Sequence, residues 1–321
     1  MRRVWGSVVL GLGVFLLVTA AMTRFYVVDQ LLITPKDQYA QTIAPGTGTY
    51  FDAGALSEKR SDLVARRTLR GDVAASNDTV GVWDVSVVLE TSAGAFVRAS
   101  IDRVAFDRKT AQSVHCCGES VDSEPTPHDG VSYKFPFGTK KEIYQFWDVN
   151  SRKSYPARYV TEETIQGLTV YKFIQEIAGQ QLRTQDVPGT LVGESSPTFP
   201  APVWYQNTRT VWVEPRTGVI VKGVEQTKTT LRDSAGQDRV VVLDATLTFD
   251  EATQQQQADL ARDGLGRLSV ISWIAPLVAL ILGLAFFAVG LMLLRAGERP
   301  SPGRGRPAPE REPEPVGGPA T

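Results

Sequence analysis

The strongest pattern along the chain is an unbroken apolar run. Leu268 to Leu294 spans 27 residues without a charged side chain. A helix rising ~1.5 Å per residue would outrun the ~30 Å hydrocarbon core of a bilayer there, and lipid leaves a lone segment no other way to bond its backbone. A second run, Val4 to Met22, holds 19 uncharged residues behind Arg2 and Arg3. The pattern predicts transmembrane helices over 4–23 and 268–294, with Pro276 in the first third of the second. For the first, a cleaved signal peptide competes, with Val18-Thr19-Ala20 as a small-residue site; its length favours an uncleaved anchor.

From 50 to 250 the pattern changes to β. Leu63 to Arg70, Val80 to Thr91 and Phe96 to Phe106 are β-branched or aromatic runs, separated by turn signals at Asn77-Asp78 and Ala93-Gly94. Lys141 to Val149, Leu168 to Ile177, Thr208 to Glu214, Val219 to Thr229 and Val240 to Phe249 continue the series. Their length and the lack of βαβ alternation predict a mainly β (α+β) domain built on a large antiparallel sheet. Asp29 to Thr34 reads as a short strand, with Pro35, Pro45, Gly46 and Gly48 as breakers around it. Asp250 to Arg262 is the one soluble helix, with Asp250 as its cap. Gly264 and Gly266 then read as a flexible joint.

One internal echo is visible. Val104 to Ala111 and Val211 to Gly218 both run strand, acidic turn start, basic residue, threonine, small residue. Duplicated halves would give this, and so would two ordinary tight hairpins.

Charge sets the orientation. Arg295, Arg299, Arg304, Arg306 and Arg311 follow the second apolar run, as Arg2 and Arg3 precede the first, so the positive-inside tendency puts both ends in the cytoplasm of a two-pass plasma-membrane protein. The domain plan is then a cytoplasmic start at 1–3, the two helices, an extracytoplasmic β-rich domain at 24–267 and a tail at 295–321. The tail carries seven prolines from residue 300 on and almost no large apolar side chain, which predicts disorder. The formal net charge of -1 gives no basis for a nucleic-acid partner. Membrane lipids are the expected surroundings. Small residues at Ala275, Ala279 and Gly283, and at Ser7 and Gly11, suit close pairing of the helices with each other or with another copy.

Candidate chemistry is sparse. The only cysteines are Cys116 and Cys117, adjacent, next to His115. A vicinal disulfide, a metal site with His128 and a reactive thiol are the readings; adjacent ligands point apart, and no acid partner is visible for a thiol, so the disulfide leads and no metal is expected. Tyr133 to Tyr159 holds eight aromatics, among them Tyr133, Phe135, Phe137, Tyr144, Phe146 and Trp147. They suit either a ligand groove or an ordinary core. No catalytic serine motif, phosphate loop or dinucleotide fingerprint occurs, so neither an enzyme nor a cofactor is expected.

Several phrases resemble a family of actinobacterial two-pass membrane proteins, some labelled PorA-family porins. They are Tyr50-Phe51-Asp52, His115 to Gly118, Tyr133 to Phe137, Tyr144 to Asp148, Gly167 to Phe173 and Val211 to Gly218. The resemblance covers about 1 to 295, implies a pore and transfers no catalytic residue. The layout of two terminal helices around a β-rich domain also looks like that of a class of lipid scavenger receptors. On that analogy the expected function is a non-enzymatic envelope protein whose β domain binds or transfers a lipid or other apolar ligand. A pore component and a protein-binding scaffold are the alternatives.

Overall fold

The structure, a computed structural model, describes residues 2–27 and 32–296. Most of the tail after Arg295, and residues 29–31 of the expected strand before Thr34, lie outside them; Leu32 to Thr34 themselves form no strand. The chain divides into two compact units.

One unit is the pair of apolar helices, α1 (Arg2–Met22) and α3 (Ala275–Ala296). They pack through a seam of small residues. Gly13 and Gly290 lie where an added methyl carbon would come within 2.6 Å of the backbone nitrogens of Phe287 and Leu10. Gly283, one of the expected small residues, lies in this seam against Leu17, whereas Gly11 faces open space and Ala275 is exposed. A π-helical turn, Val270–Ile274, precedes Pro276. That widening fits the missing proline N–H and the ring's clash one turn back.

The other unit is a sheet of twelve strands. They are β1 (Tyr39–Asp52), β2 (Ser57–Gly71), β3 (Val80–Thr91), β4 (Phe96–Asp107), β5 (Ser120–Val121), β6 (Glu124–Pro125), β7 (Tyr144–Asp148), β8 (Lys153–Ile165), β9 (Leu168–Pro188), β10 (Thr198–Val213), β11 (Ile220–Arg232) and β12 (Asp238–Thr248). The sheet is antiparallel and curled, and its order is β6-β5-β4-β3-β2-β1-β12-β11-β10-β9-β8-β7. Each half is a meander, and the first strand pairs with the last, as in a closed up-and-down barrel. The break falls between β6 and β7. There the loop after β6 fills in: Val131 bridges both Gln112 and Phe146, and Arg152 pairs with Glu124.

β1 is hidden in the sequence, because Pro45, Gly46 and Gly48 look like breakers. The glycines instead let β12 approach: a methyl carbon on Gly46 would sit 1.8 Å from the Thr246 carbonyl oxygen. Two residues before Pro45, Ile43 gives its N–H to the Thr253 hydroxyl and takes one from Asp250. Pro45 presents its nitrogen to that same side, just outside the β1–β12 ladder, which starts at Gly46. No ladder bond is lost there.

Helix α2 (Glu251–Ser269) lies on the sheet. The Asp250 carboxylate caps it, accepting from the Thr253 N–H at 2.7 Å. It runs on through Gly264 and Gly266, so the expected flexible joint is absent. Gly264 is there for clearance: a methyl carbon would stand 2.9 Å from Thr217 Cγ2. Ala258 packs with Val170, Trp212 and Val221 on the outer face of the sheet.

Candidate functional site

The hollow inside the curl is the most chemically loaded part of the molecule. Its residues follow strand parity. On β10, Val203, Tyr205, Asn207, Val211 and Val213 are buried on the inner face, and Arg209 stands in the same row. On β2, Leu63 and Leu69 are buried, and Arg67 shares their parity. A charged residue in an apolar row was the signal available in the sequence, and the strand reading did not use it.

Arg209 organises a buried ion network. Its guanidinium donates to Asp148 Oδ2 at 3.1 Å, Glu225 Oε1 at 2.9 Å, the Trp147 carbonyl at 3.1 Å and Gln175 Oε1 at 3.0 Å. Tyr205 donates to the same Asp148 oxygen at 3.0 Å, and Asn207 to Glu225 at 2.8 Å. Burial alone would raise the pKa of Glu225; the charge and hydrogen bond of Arg209 overcome it and hold the carboxyl below its ordinary value. Burial, with the nearby Asp148 charge, pushes the Tyr205 phenol up, so it stays a neutral donor. Removing one partner of such a network strands a buried charge, at a cost of several kcal/mol (roughly 3–5).

Beside the network lies a cavity of about 170 Å³, walled by Arg67, Arg98, Ser132, Tyr133, Trp147, Arg209, Glu225, Thr227 and apolar side chains of both meanders. A second cavity, about 500 Å³, is bounded by β1, the 133–137 loop and α2. The two share Thr42, Arg67, Tyr133 and Ile220 as wall residues. Lys134 faces the second cavity with its ammonium 3.2 Å from Thr34 Oγ1 and 4.1 Å from the Phe137 ring centre. It has no ion pair among the described residues, and burial pulls its pKa down to about 7.

The segment between β4 and β7 carries the other candidates. Cys116 and Cys117 are joined by a disulfide, with Cys117 in left-handed backbone at φ 63°. Its carbonyl accepts from Arg103 Nε at 3.0 Å. His115 and His128 both reach the Glu119 carboxylate, and among the described residues no cluster of three metal-ligating side chains occurs. His128 is buried, tilted against Trp147 at 4.2 Å between ring centres, and bonded to Asp102 at 2.7 Å and Glu119 at 3.2 Å. Desolvation lowers its pKa, but hydrogen bonds and charge from Asp102 and then Glu119 outweigh it, and the net shift is upward.

The sequence-selected aromatics divide. Phe135, Tyr144 and Phe146 pack together with Phe173 in a buried cluster. Phe146 and Trp147 also wall the smaller cavity, Phe137 walls the larger, and Tyr133 walls both. Tyr133 hydroxyl donates to Asp102 at 2.5 Å.

An apolar helix pair and a curled antiparallel sheet with a polar hollow define a mainly β membrane protein. The chain belongs to the Porin PorA family, whose model matches residues 5–292. It is 23% identical to a protein named Porin PorA from Corynebacterium amycolatum, over 91% of this chain and 99% of that protein. It is 24% identical to another of that name from Corynebacterium resistens, over 91% of this chain and 97% of the relative. These relatives overturn the expectation of a lipid-binding or lipid-transferring domain. That expectation rested on a shared layout with scavenger receptors and no shared motif, and layout is not a warrant for function.

Proposed function

We propose that this chain is a non-enzymatic component of a membrane pore, with α1 and α3 crossing the bilayer and the sheet held on the extracytoplasmic side, both termini cytoplasmic. The family match over residues 5–292 carries the reading. The helix surfaces support it: Val4, Phe15, Leu277, Ile281 and Leu284 are exposed and apolar, as lipid contact requires. The sheet is unsuited to lipid. Glu176, Gln181, Arg183, Thr184, Gln185 and Asp186 are exposed on β9, and Glu58, Lys59, Arg60, Asp62 and Arg66 on β2, where a membrane barrel carries an apolar band. A single pair of helices encloses no space between them, so a water path through the bilayer needs several copies around it.

Full-length protein reconstituted in planar bilayers should give discrete conductance steps whose frequency rises with protein concentration more steeply than linearly. Silent bilayers containing correctly inserted protein would remove the pore reading. Orientation is tested separately. A reporter after Thr321 should be active in the cytoplasm and one near Asn77 outside it.

A further inference from the structure

Three arginines reach the smaller cavity, and the carboxylates near it are already committed. Asp148 and Glu225 bind Arg209. Arg98 donates to Asn150. Arg67 is different. Among the described residues it has no ion pair, and its guanidinium lies 5.6 Å from the ring centre of Tyr133 and 5.5 Å from that of Phe249. Arginine keeps its charge even when buried and offers five N–H donors in a planar fork. Arg67 is half-buried, and the carboxylate that favours its charge, Glu225, is already paired with Arg209, so a bound anion would relieve the cost of desolvating it.

A second, independent observation points the same way. Among the described residues, Ser132 Oγ, Trp147 Nε1 and Thr227 Oγ1 are buried without a hydrogen-bond partner, and all three residues wall this cavity. An indole N–H can only donate, and both hydroxyls can donate. Buried polar groups left unpaired are rare enough in folded proteins to need an explanation. One wall carboxylate, Glu225, faces three wall guanidiniums. Water needs roughly 10–15 Å³ of such space per molecule, so about 170 Å³ has room for a small anion and its residual water.

We propose that the hollow inside the curl is a binding site for a small oxyanion, a phosphate or carboxylate group, received by Arg67 together with the Ser132, Trp147 and Thr227 donors. A planar fork suits two oxygens of either group. Arg67 and Tyr133 wall the larger cavity as well, so the two cavities adjoin at the proposed site. The site is defined within the sheet unit and does not depend on the pore reading.

The test is calorimetric titration of full-length protein in detergent, at constant ionic strength in chloride, with inorganic phosphate and with acetate. Saturable binding of one anion per chain is expected for at least one of them, and which one binds identifies the group. Arg67→Gln should weaken it about tenfold or more, and Trp147→Phe, which removes the N–H but keeps the ring packing, about threefold to tenfold. Arg183→Gln, an exposed position on β9, should leave it unchanged. If Arg67→Gln does not fold, the indole variant decides. Absence of saturable binding of both anions to folded wild-type protein, or equal affinity in every folded variant, would overturn the site and leave the hollow to water. Because no bilayer is involved, this result is separable from conductance.

Discussion

Ala111 and Gly218 hold the same position in two matching hairpins. Both are left-handed, at φ 58° and 74°. Ala111 N–H donates to the Asp107 carbonyl at 2.8 Å, and Gly218 N–H to that of Glu214 at 2.9 Å. The Asp107 carboxylate takes the N–H groups of Lys109 and Thr110, as that of Glu214 takes Arg216 and Thr217. Phe106 pairs with Ser113 where Val213 pairs with Ile220. The turns close β4 and β10, each the fourth strand of its meander. The echo in the sequence therefore marks equivalent places in two meanders laid side by side in the same order.

The two turns differ in what they can accept. A methyl on Gly218 would lie 2.0 Å from the Phe135 carbonyl oxygen, which the loop holds in place by donating Phe135 N–H to Gly218 at 2.9 Å. Gly218→Ala should destabilise by about 1–3 kcal/mol, because the backbone itself must move. Denaturant unfolding measures it. A loss under about 0.5 kcal/mol would show that the contact yields easily.

His128 makes stability fall with rising pH. Its folded pKa is raised, so its contribution is complete below the ordinary value of ~6.5 and is lost as pH climbs through the higher folded value. Melting temperature should fall as pH rises above ~6.5, and His128→Gln should flatten that slope. Parallel profiles for the two proteins would contradict the assignment.

Lys134 works in the opposite sense. Its folded pKa is about 7, while the unfolded chain holds the proton to ~10.4. Between those values the unfolded state binds more protons, so the lysine's penalty shrinks as pH rises. Lys134→Met should be more stable than wild type by on the order of 1 kcal/mol or more near pH 6. The advantage should disappear towards pH 10. A constant difference across the range would mean the ammonium is solvated.

At the helix pair, Gly290→Val forces a side chain against the Leu10 backbone. We expect α1 and α3 to separate, seen as a longer distance between spin labels at the exposed positions Val4 and Met292. The cost should reach about 1–3 kcal/mol, as for overpacking elsewhere. An unchanged distance would place the seam elsewhere.

The Cys116–Cys117 bond encloses almost no chain, so Cys116→Ser with Cys117→Ser should cost under about 1 kcal/mol by melting. Intact mass without reductant should fall short of the reduced value by two hydrogens. Full alkylation without reductant would show free thiols.

Much of the fold was legible because strand alternation is a local signal. β3 was read to the residue and β4 within one. β1 was not, since its glycines make sense only once β12 lies beside them, some two hundred residues on. The site was less legible for the same reason. Arg67 and Arg209 read as ordinary charges until the parity of their strands is known, and the curl that brings β2 to face β10 is a property of the whole sheet. Gly264 looks loose in the sequence because its neighbour, Thr217, lies in another hairpin.

The pairing of β1 with β12 also sets an order of assembly. β1 emerges early and can zip to β2 at once, but its other edge must wait for the last strand. Until then β1 and β11 each show an open ladder, the kind of edge that recruits a neighbouring chain. Closing the sheet therefore shuts the longest loop within it, the pairing that loop-closure entropy opposes most. A chain halted before Asp238 would keep nearly every hairpin and still lack the strand that joins the two meanders.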